Sequence, residues 1–390
     1  MAVGTMTAAL VLQLTRPVPA PMLALTVPDV VTAPGTAPAL PWPAQGESAV
    51  SVPEAGFLQA SGPETPVPVA SLTKVMTAYL VLRDHPLGPS ASGPSITMTA
   101  ADQLDAAADA RANATSIPVV AGASFSERQL LDALLVHSAN DVADALARWD
   151  SGNASSFVAK MNATAHALGM NGTRYVDPSG IDAADVSTAA DQLRLADVAM
   201  SIPTFATVVA QPAVNIPGAG LLSNYVPAVG IDGVVGVKSG FTQAAMGCVV
   251  LAAERQVAGR QVLVLAALTG QQGGADPIRV ADKSAIALVD TVATGLSEQT
   301  LVPATTTVGS VTVPWNRHKA SVTTTSAVDA LVWPGTRWST SLRPSAVNGT
   351  VPAGDRVATL IVSDGIRRFA VPLVTTSGLP GPSMRWRLVR

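Results

Sequence analysis

The sequence predicts an α+β protein: an antiparallel sheet with helices packed on it, followed by a small all-β domain. Three observations carry this. Segments with helical spacing fill residues 71–200, while strand-like segments lie to either side, near 48–60 and 234–269. Strands that distant in sequence must then share one sheet against which the helices pack. After Thr294 the composition shifts, and 300–390 is rich in Val and Thr with turn signals roughly every ten residues and no competing helical pattern. Finally, 390 residues that are 48% hydrophobic and 13% charged supply core for two or three domains.

The elements follow in chain order. Residues 1–44 are read as a leader and linker. Ala8 to Leu14 is a short apolar stretch that reads as a truncated export segment, with membrane association through it left open. Pro34, Pro38, Pro41 and Pro43 mark the linker, since proline neither propagates a helix nor pairs in a central strand. Ser48 to Val52 and Gly56 to Ala60 are expected strands. Ser71 to Leu82 is an expected helix, with Leu72, Val75, Met76, Tyr79 and Leu80 at helical spacing. Further helices are expected over Ser126–Val136, Asp141–Trp149, Ser155–Leu168 (closed by Gly169) and Ser187–Met200. Strands are expected over Val234–Lys238, Gly247–Ala253 and Val262–Thr269, the last two as a hairpin around Ala258-Gly259-Arg260. A helix over Asp282–Val292 closes the domain. Thr305–Val313, Val357–Val362 and Arg367–Val374 are expected strands of the second domain. The domains are accordingly placed at 45–297 and 298–390.

Composition narrows the chemistry. A net charge of -3 and a pI near 5.8 argue against a nucleic-acid binder. No run of 18 uninterrupted apolar residues predicts a transmembrane helix. A single cysteine, Cys248, excludes an intramolecular disulfide and a cysteine metal cage, and it reads as a buried small hydrophobe. None of the four histidines is paired at H-x-x-x-H spacing, so neither a metal nor another cofactor is expected. Only five of the 24 basic residues are lysines, and two of those five fall in motifs.

The first motif is Ser71-Leu-Thr-Lys74. At positions i and i+3 of a helix the hydroxyl and the amine share a face. Serine is a weak nucleophile that needs a base in reach, and a lysine serves once burial lowers its pKa. This is the one S-x-x-K in the chain, on an otherwise apolar helix. The second is Lys238-Ser239-Gly240, after the apolar run Val234 to Val237. A lysine there is costly to bury unless it meets an anion, and the glycine lets a ligand approach the backbone. The third is Ser-x-Asn, which occurs twice. Ser151-Gly152-Asn153 reads as a turn and N-cap, whereas Ser138-Ala139-Asn140 interrupts two helices that both need burial, so Ser138 and Asn140 are the pair aimed at a cleft. His137 reads as a packed helix-end residue, and Asp177-Pro178-Ser179-Gly180 as a simple turn.

In chain order, Ser-x-x-Lys, Ser-x-Asn and Lys-Ser-Gly are the signature set of penicillin-binding proteins and class A β-lactamases. The flanking residues Ala70–Tyr79, Leu130–Asp141, Met161-Asn162 with Leu168-Gly-Met170, and Val237–Thr242 closely resemble the low-molecular-mass D-alanyl-D-alanine carboxypeptidases. The resemblance covers roughly 45–295, and Val351–Val362 with Phe369–Leu373 more loosely resembles the β-domain that often follows. It implies a β-lactamase/transpeptidase-like fold and a serine acyl-enzyme mechanism. Ser71 would attack the carbonyl between two D-alanines, Lys74 would take its proton, and Ser138 would relay a proton to the leaving D-alanine, helped by Lys238. Asn140 would hold the substrate amide. Lys238 and Ser239 would bind the terminal carboxylate. The N–H groups of Ser71 and Phe241 would form the oxyanion hole, with Gly240 and Thr242 completing the substrate-binding strand. The implied partners are a peptidoglycan stem peptide and β-lactam inhibitors, with no nucleic acid, in an extracytoplasmic setting.

Two departures from the family pattern stand out. Phe241 follows Lys-Ser-Gly where a histidine is frequent, and no Lys or Arg occurs over 195–237, where relatives often carry an arginine. Against a class A β-lactamase, no glutamate occurs from Arg128 to Ala253, and the triplet is Ser-Ala-Asn. A DD-endopeptidase, an esterase of the same superfamily and a non-catalytic wall-binding protein are the remaining alternatives.

Overall fold

A computed structural model describes residues 13–19, 21–345 and 349–389. Two compact units divide the chain. One is Pro38–Gly295; the other joins the segment ending at Ala37 to the chain from Leu296 onward. The first strands of the described chain are β1 (Met22–Leu25) and β2 (Val30–Thr32). These belong to the sheet of the second unit, so the leader and linker expected over 1–44 give way to structure at 22–32. Two short apolar runs find sheet edges to pair with, which a reading by composition could not foresee. The apolar stretch expected from Ala8 to Leu14 lies mostly outside the described residues.

The Pro38–Gly295 unit is built on a five-stranded antiparallel sheet. Its strands are β3 (Glu47–Val52), β4 (Phe57–Ser61), β5 (Val234–Thr242), β6 (Met246–Val257) and β7 (Arg260–Gln271), in the order β5-β6-β7-β3-β4. Ala258 and Gly259 turn β6 into β7 with φ of 50° and 81°, the left-handed pair that a two-residue hairpin requires. Gly247–Ala253 of β6 is buried without alternation, which means that both faces of the sheet are covered.

The helices lie between β4 and β5, with one after β7. They are α1 (Thr73–Asp84), α2 (Ala100–Arg111), α3 (Glu127–Leu135), α4 (Asn140–Ser151), α5 (Ala154–Ala167), α6 (Ala189–Met200), α7 (Pro203–Val209) and α8 (Pro277–Gly295). Two were not expected. α2 begins at a capping box, the Thr99 hydroxyl accepting from Asp102 N while the Asp102 carboxylate accepts from Thr99 N. α7 begins with Pro203 in its first turn. α1 is wholly buried along Thr73–Ala78 and packs with Leu130, Leu134, Val142 and Leu146 of α3 and α4 in one apolar core. That core holds the site, because α1 and the α3–α4 corner cannot shift without opening it.

The second unit is a seven-stranded antiparallel sheet with a strand pair beside it. To β1 and β2 it adds β8 (Ser297–Val302), β9 (Thr307–Val313), β10 (Asn316–Thr324), β11 (Val328–Val332), β12 (Arg337–Pro344), β13 (Arg356–Ser363) and β14 (Arg368–Thr375). The sheet order is β1-β9-β10-β14-β13-β12-β2, and β8 pairs with β11. Its own core gathers Val311, Val322, Trp338, Leu360, Val362 and Leu373. A short helix, α9 (Met384–Val389), ends the described chain. Among the described residues no helix is long and apolar enough to cross a membrane.

Candidate active site

Ser71 does not sit in a regular helix, as its spacing predicts, but in a 3-10 turn (Ala70–Leu72) that leads into α1. Ala70 is held at φ 49°, a left-handed conformation unusual for a residue with a side chain. The turn is gripped from two sides by glycines. A Cβ on Gly180 would fall 1.9 Å from the Ala70 carbonyl oxygen, and one on Gly240 would fall 2.8 Å from Ser71 N. Neither position tolerates a side chain, since backbone stands in the way. The loop around Gly180 and the strand β5 are thereby pressed against the Ser71 backbone.

Lys74 lies one turn further on, fully buried. Its Nζ is 2.9 Å from Ser71 Oγ, 2.6 Å from Asn140 Oδ1 and 2.7 Å from the Ser179 carbonyl oxygen. Burial lowers its pKa to about 8, although Asp177, Asp144, Asp109 and Asp141 pull the other way. A neutral lysine has two N–H donors and one lone pair. With Asn140 Oδ1 and the Ser179 carbonyl accepting the two donors, the lone pair is left for the Ser71 hydroxyl proton. The geometry thus makes Lys74 an acceptor at one atom.

The Ser138–Asn140 corner connects α3 to α4. Ser138 is buried at φ 69°. Ala139 N donates to the Ala133 carbonyl at 3.1 Å and Asn140 N to the Thr115 carbonyl at 2.8 Å, so the two peptides that follow the left-handed residue are anchored. Asn140 Oδ1 is taken by Lys74, which leaves Nδ2 as the donor it can offer to a carbonyl.

The opposite wall is β5. Lys238 is fully buried and its Nζ donates to the Ser239 carbonyl at 2.8 Å. Burial, and then the nearby Lys74, hold its pKa well below the ordinary lysine value. The Ser239 hydroxyl donates to the Tyr225 carbonyl at 2.5 Å. Gly240 passes behind Ser71, and Phe241 is 46% exposed. The Thr242 hydroxyl accepts from Ala245 N at 3.0 Å at the β5–β6 turn, which leaves its O–H free to donate.

Sequence reasoning missed two parts of this site. The first is the loop Asp177–Gly180, read as a simple turn. The Asp177 carboxylate accepts from Ser179 N at 2.6 Å, Ser179 Oγ at 2.8 Å, Gly180 N at 2.7 Å and Asp182 N at 2.8 Å. Burial would raise its pKa, but the N–H groups of Asp182, Ser179 and Gly180 and the Ser179 hydroxyl outweigh that and hold it below the ordinary carboxylate value. The loop is tied to α1 by Thr77 Oγ1, which donates to the Pro178 carbonyl at 2.6 Å, and by Lys74. The available signal was the Asx turn that an Asp-Pro-Ser-Gly run can build. The second is Tyr225, whose N–H donates to the Val136 carbonyl at 3.2 Å and whose own carbonyl accepts from Ser239. It joins the α3–α4 corner to β5 through backbone atoms, which no side-chain pattern announces. Among the described residues no cluster of three metal-ligating side chains occurs.

This geometry assigns the chain to the penicillin-binding class of serine–lysine folds. Comparison with known proteins narrows the class. The profile of the Peptidase S11 family, D-alanyl-D-alanine carboxypeptidase, matches residues 47–269, more than half of the chain, and the chain belongs to that family. It is 36% identical over 195 residues to the D-alanyl-D-alanine carboxypeptidase DacB2 of Mycobacterium tuberculosis, covering 46% of this chain and 66% of that one. It is 38% identical over 138 residues to a D-alanyl-D-alanine endopeptidase of Pseudomonas aeruginosa, covering 35% of this chain and 41% of that one. In structure it resembles the D-alanyl-D-alanine carboxypeptidase DacD of Francisella tularensis, with a TM-score of 0.65 over 89% of this chain and 96% of that one. At 19% identity this last is a likeness of fold, and it extends to the C-terminal β-domain. The chain spans from 41% to 66% of the length of the first curated relatives it matches.

Proposed function

We propose that the protein hydrolyses the terminal D-alanyl-D-alanine bond of peptidoglycan stem peptides through a serine acyl-enzyme, outside the cytoplasm, and that β-lactams acylate the same serine. The observation that carries this is the contact between Ser71 Oγ and the buried Lys74 Nζ at 2.9 Å, with the lysine pKa near 8. An ordinary lysine is a poor base at neutral pH, whereas this one is within reach of working as one.

The steps follow from the residues. Ser71 Oγ attacks the carbonyl of the penultimate D-alanine as its proton passes to Lys74 Nζ. The carbonyl oxygen gains negative charge and is met by the N–H groups of Ser71 and Phe241, which Gly240 brings alongside each other. The Ser138 hydroxyl then passes a proton to the leaving amine as it takes the one held by Lys74, and the C–N bond breaks to release D-alanine. Asn140 Nδ2 holds the peptide carbonyl. The substrate carboxylate draws Lys238 back to its charged form and takes the Ser239 hydroxyl from the Tyr225 carbonyl. Water adds to the acyl-enzyme, Lys74 accepting its proton, and frees Ser71.

A second reading, DD-endopeptidase, is favoured by the likeness to the Pseudomonas relative and by Phe241, whose exposed ring could flank a longer substrate on the far side of the bond. One experiment addresses both. A muropeptide pentapeptide and its cross-linked dimer are digested, with a fluorescent penicillin labelling the same preparation. Release of free D-alanine from the monomer, with labelling lost in Ser71→Ala, is the expected result. Cleavage of the dimer alone makes the protein an endopeptidase, and undiminished labelling of Ser71→Ala rejects the acyl-enzyme altogether.

A further inference from the structure

The two units carry opposite charge. Over Pro38–Gly295 the sequence has thirteen Lys and Arg against twenty-two Asp and Glu, a net -9. Over the rest it has eleven against five, a net +6. Three of those eleven line one recess on the β-domain. A cavity of about 370 Å3 is lined by Arg343 of β12, Arg356 of β13 and Arg368 of β14, over a floor of Thr359, Ile361 and Ala370. All three arginines are exposed, and none forms an ion pair among the described residues, while the nearby Asp364 is already taken by Arg367. Arg356 Nη2 donates to Thr359 Oγ1 at 2.6 Å, which turns its guanidinium along the floor.

We propose that this recess binds a linear, phosphodiester-bearing polyanion of the cell envelope and so holds the enzyme within its substrate. Registry fixes the shape. Arg343 stands opposite Thr359, while Arg356 and the Ser363–Arg368 pair mark the two ends of β13. Arg356 reaches along the strand to Thr359, so the guanidiniums converge on one recess, and three positive charges exceed what a single phosphodiester neutralises. The charges therefore suit a chain of anions. Guanidinium forks pair bidentately with phosphate, and a phosphodiester keeps its charge at every pH the envelope meets. The recess also favours a chain over a lipid surface, because a flat bilayer meets the rim and leaves the floor empty. Without such a site a unit of net -9 is repelled by a polyanionic wall.

The test uses the full-length protein, a poly(glycerol phosphate) of about ten repeats, neutral polyglycerol of equal length, an oligonucleotide of equal charge and vesicles of anionic lipid. Binding of poly(glycerol phosphate) and not polyglycerol is expected. With three arginines engaged, affinity should fall about twentyfold between 50 and 200 mM salt, from a slope of about -0.7 per contact. The triple variant Arg343→Gln/Arg356→Gln/Arg368→Gln should lose at least tenfold in affinity and most of the salt slope. Its penicillin acylation and melting temperature should not move, because these are exposed residues of the β-domain. Arg385→Gln, on α9 of the same unit and outside the recess, should bind like wild type. An equal loss in Arg385→Gln would reduce the effect to diffuse attraction and overturn the site. A tenfold preference for the oligonucleotide, or binding to vesicles but not to poly(glycerol phosphate), would overturn the occupant.

Discussion

The two units of this protein bury opposite kinds of side chain. The Pro38–Gly295 unit buries Lys74 and Lys238, and with them Glu47, Asp102, Glu127, Asp141, Asp185, Asp191 and Asp282. In the β-domain the buried polar residues among those described are threonines, Thr324, Thr340, Thr359 and Thr375, and the Asp364 side chain is folded in only as an ion pair with Arg367. A threonine can return its hydroxyl to a nearby carbonyl, as Thr340 does to Pro28 at 2.7 Å, so its burial costs little. Lys74 and Lys238 also bond carbonyls, but a buried ammonium still loses the solvation of its charge, and its pKa shifts. The difference shows where stability has been given up for chemistry. Apart from the Asp364–Arg367 pair, the β-domain leaves charged side chains such as Arg343, Arg356 and Arg368 exposed.

The largest expected effect is at Lys74. Lys74→Met should lower the acylation rate by at least about a thousandfold, as loss of a general base does. The same change should stabilise the fold near neutral pH. The folded-state pKa lies near 8, below the unfolded value of 10.5, so the folded protein binds fewer protons between those values. Its stability therefore rises with pH across that window, and below it the lysine is a burden of the order of 1–3 kcal/mol. Urea unfolding at pH 7 reads this, and a destabilised Lys74→Met would show that the Asn140 and Ser179 contacts outweigh desolvation. Lys74→Arg should be nearly as inactive, because a guanidinium stays protonated.

Asp177→Ala should cost ten- to a hundredfold in acylation, with an unfolding midpoint that moves less. The four donors of the loop would lose their acceptor, and the Ser179 carbonyl would be released from Lys74. Asp177→Asn keeps an acceptor oxygen but removes a charge that raises the Lys74 pKa, so it should recover part of the rate and shift the pH profile to lower pH. Equal loss in both variants, with an unmoved profile, would make the loop a structural turn and nothing more.

Smaller effects separate the units. Burial raises Asp141, Asp185 and Glu127 to about 7 and Asp144 to about 6. The folded state holds their protons after the unfolded state has lost its own, so stability should fall as pH rises from about 4 to 7, by at most about 1.4 kcal/mol per pH unit for each group. Thermal melts between pH 4.5 and 7.5 should show this in the catalytic unit alone. Smallest of all, residues 38–295 expressed alone should bind penicillin at a rate within about twofold of full length, since every motif residue lies in that unit. A folded but unreactive fragment would mean that the β-domain completes the site.

The legible part of this architecture was the part written in side chains. Ser71, Lys74, Ser138, Asn140, Lys238, Ser239 and Gly240 all gather at the site, because motifs with fixed spacing survive folding unchanged. What escaped was carried by backbone. The Ser179 carbonyl, the peptide of Tyr225 and the 3-10 turn that presents Ser71 depend on φ values and close approaches that residue type does not encode. The hydrogen bond from Ala245 N to the Thr242 hydroxyl escaped for a related reason, since the motif does not reveal the turn beside it. In the β-domain, β1 and β2 were read as linker because pairing with β9 and β12 is a contact between residues some 290 to 310 positions apart. No local pattern records it.

The account rests on Lys74 working as a buried base, and the acylation rate against pH tests this directly. The substrate is a thioester whose terminal carboxylate is capped, so that Lys238 has no anion to read. The second-order rate constant should rise from pH 6, pass its midpoint near 8 and level above it. A flat profile across that range, or a midpoint at the ordinary lysine value of 10.5, would contradict the account.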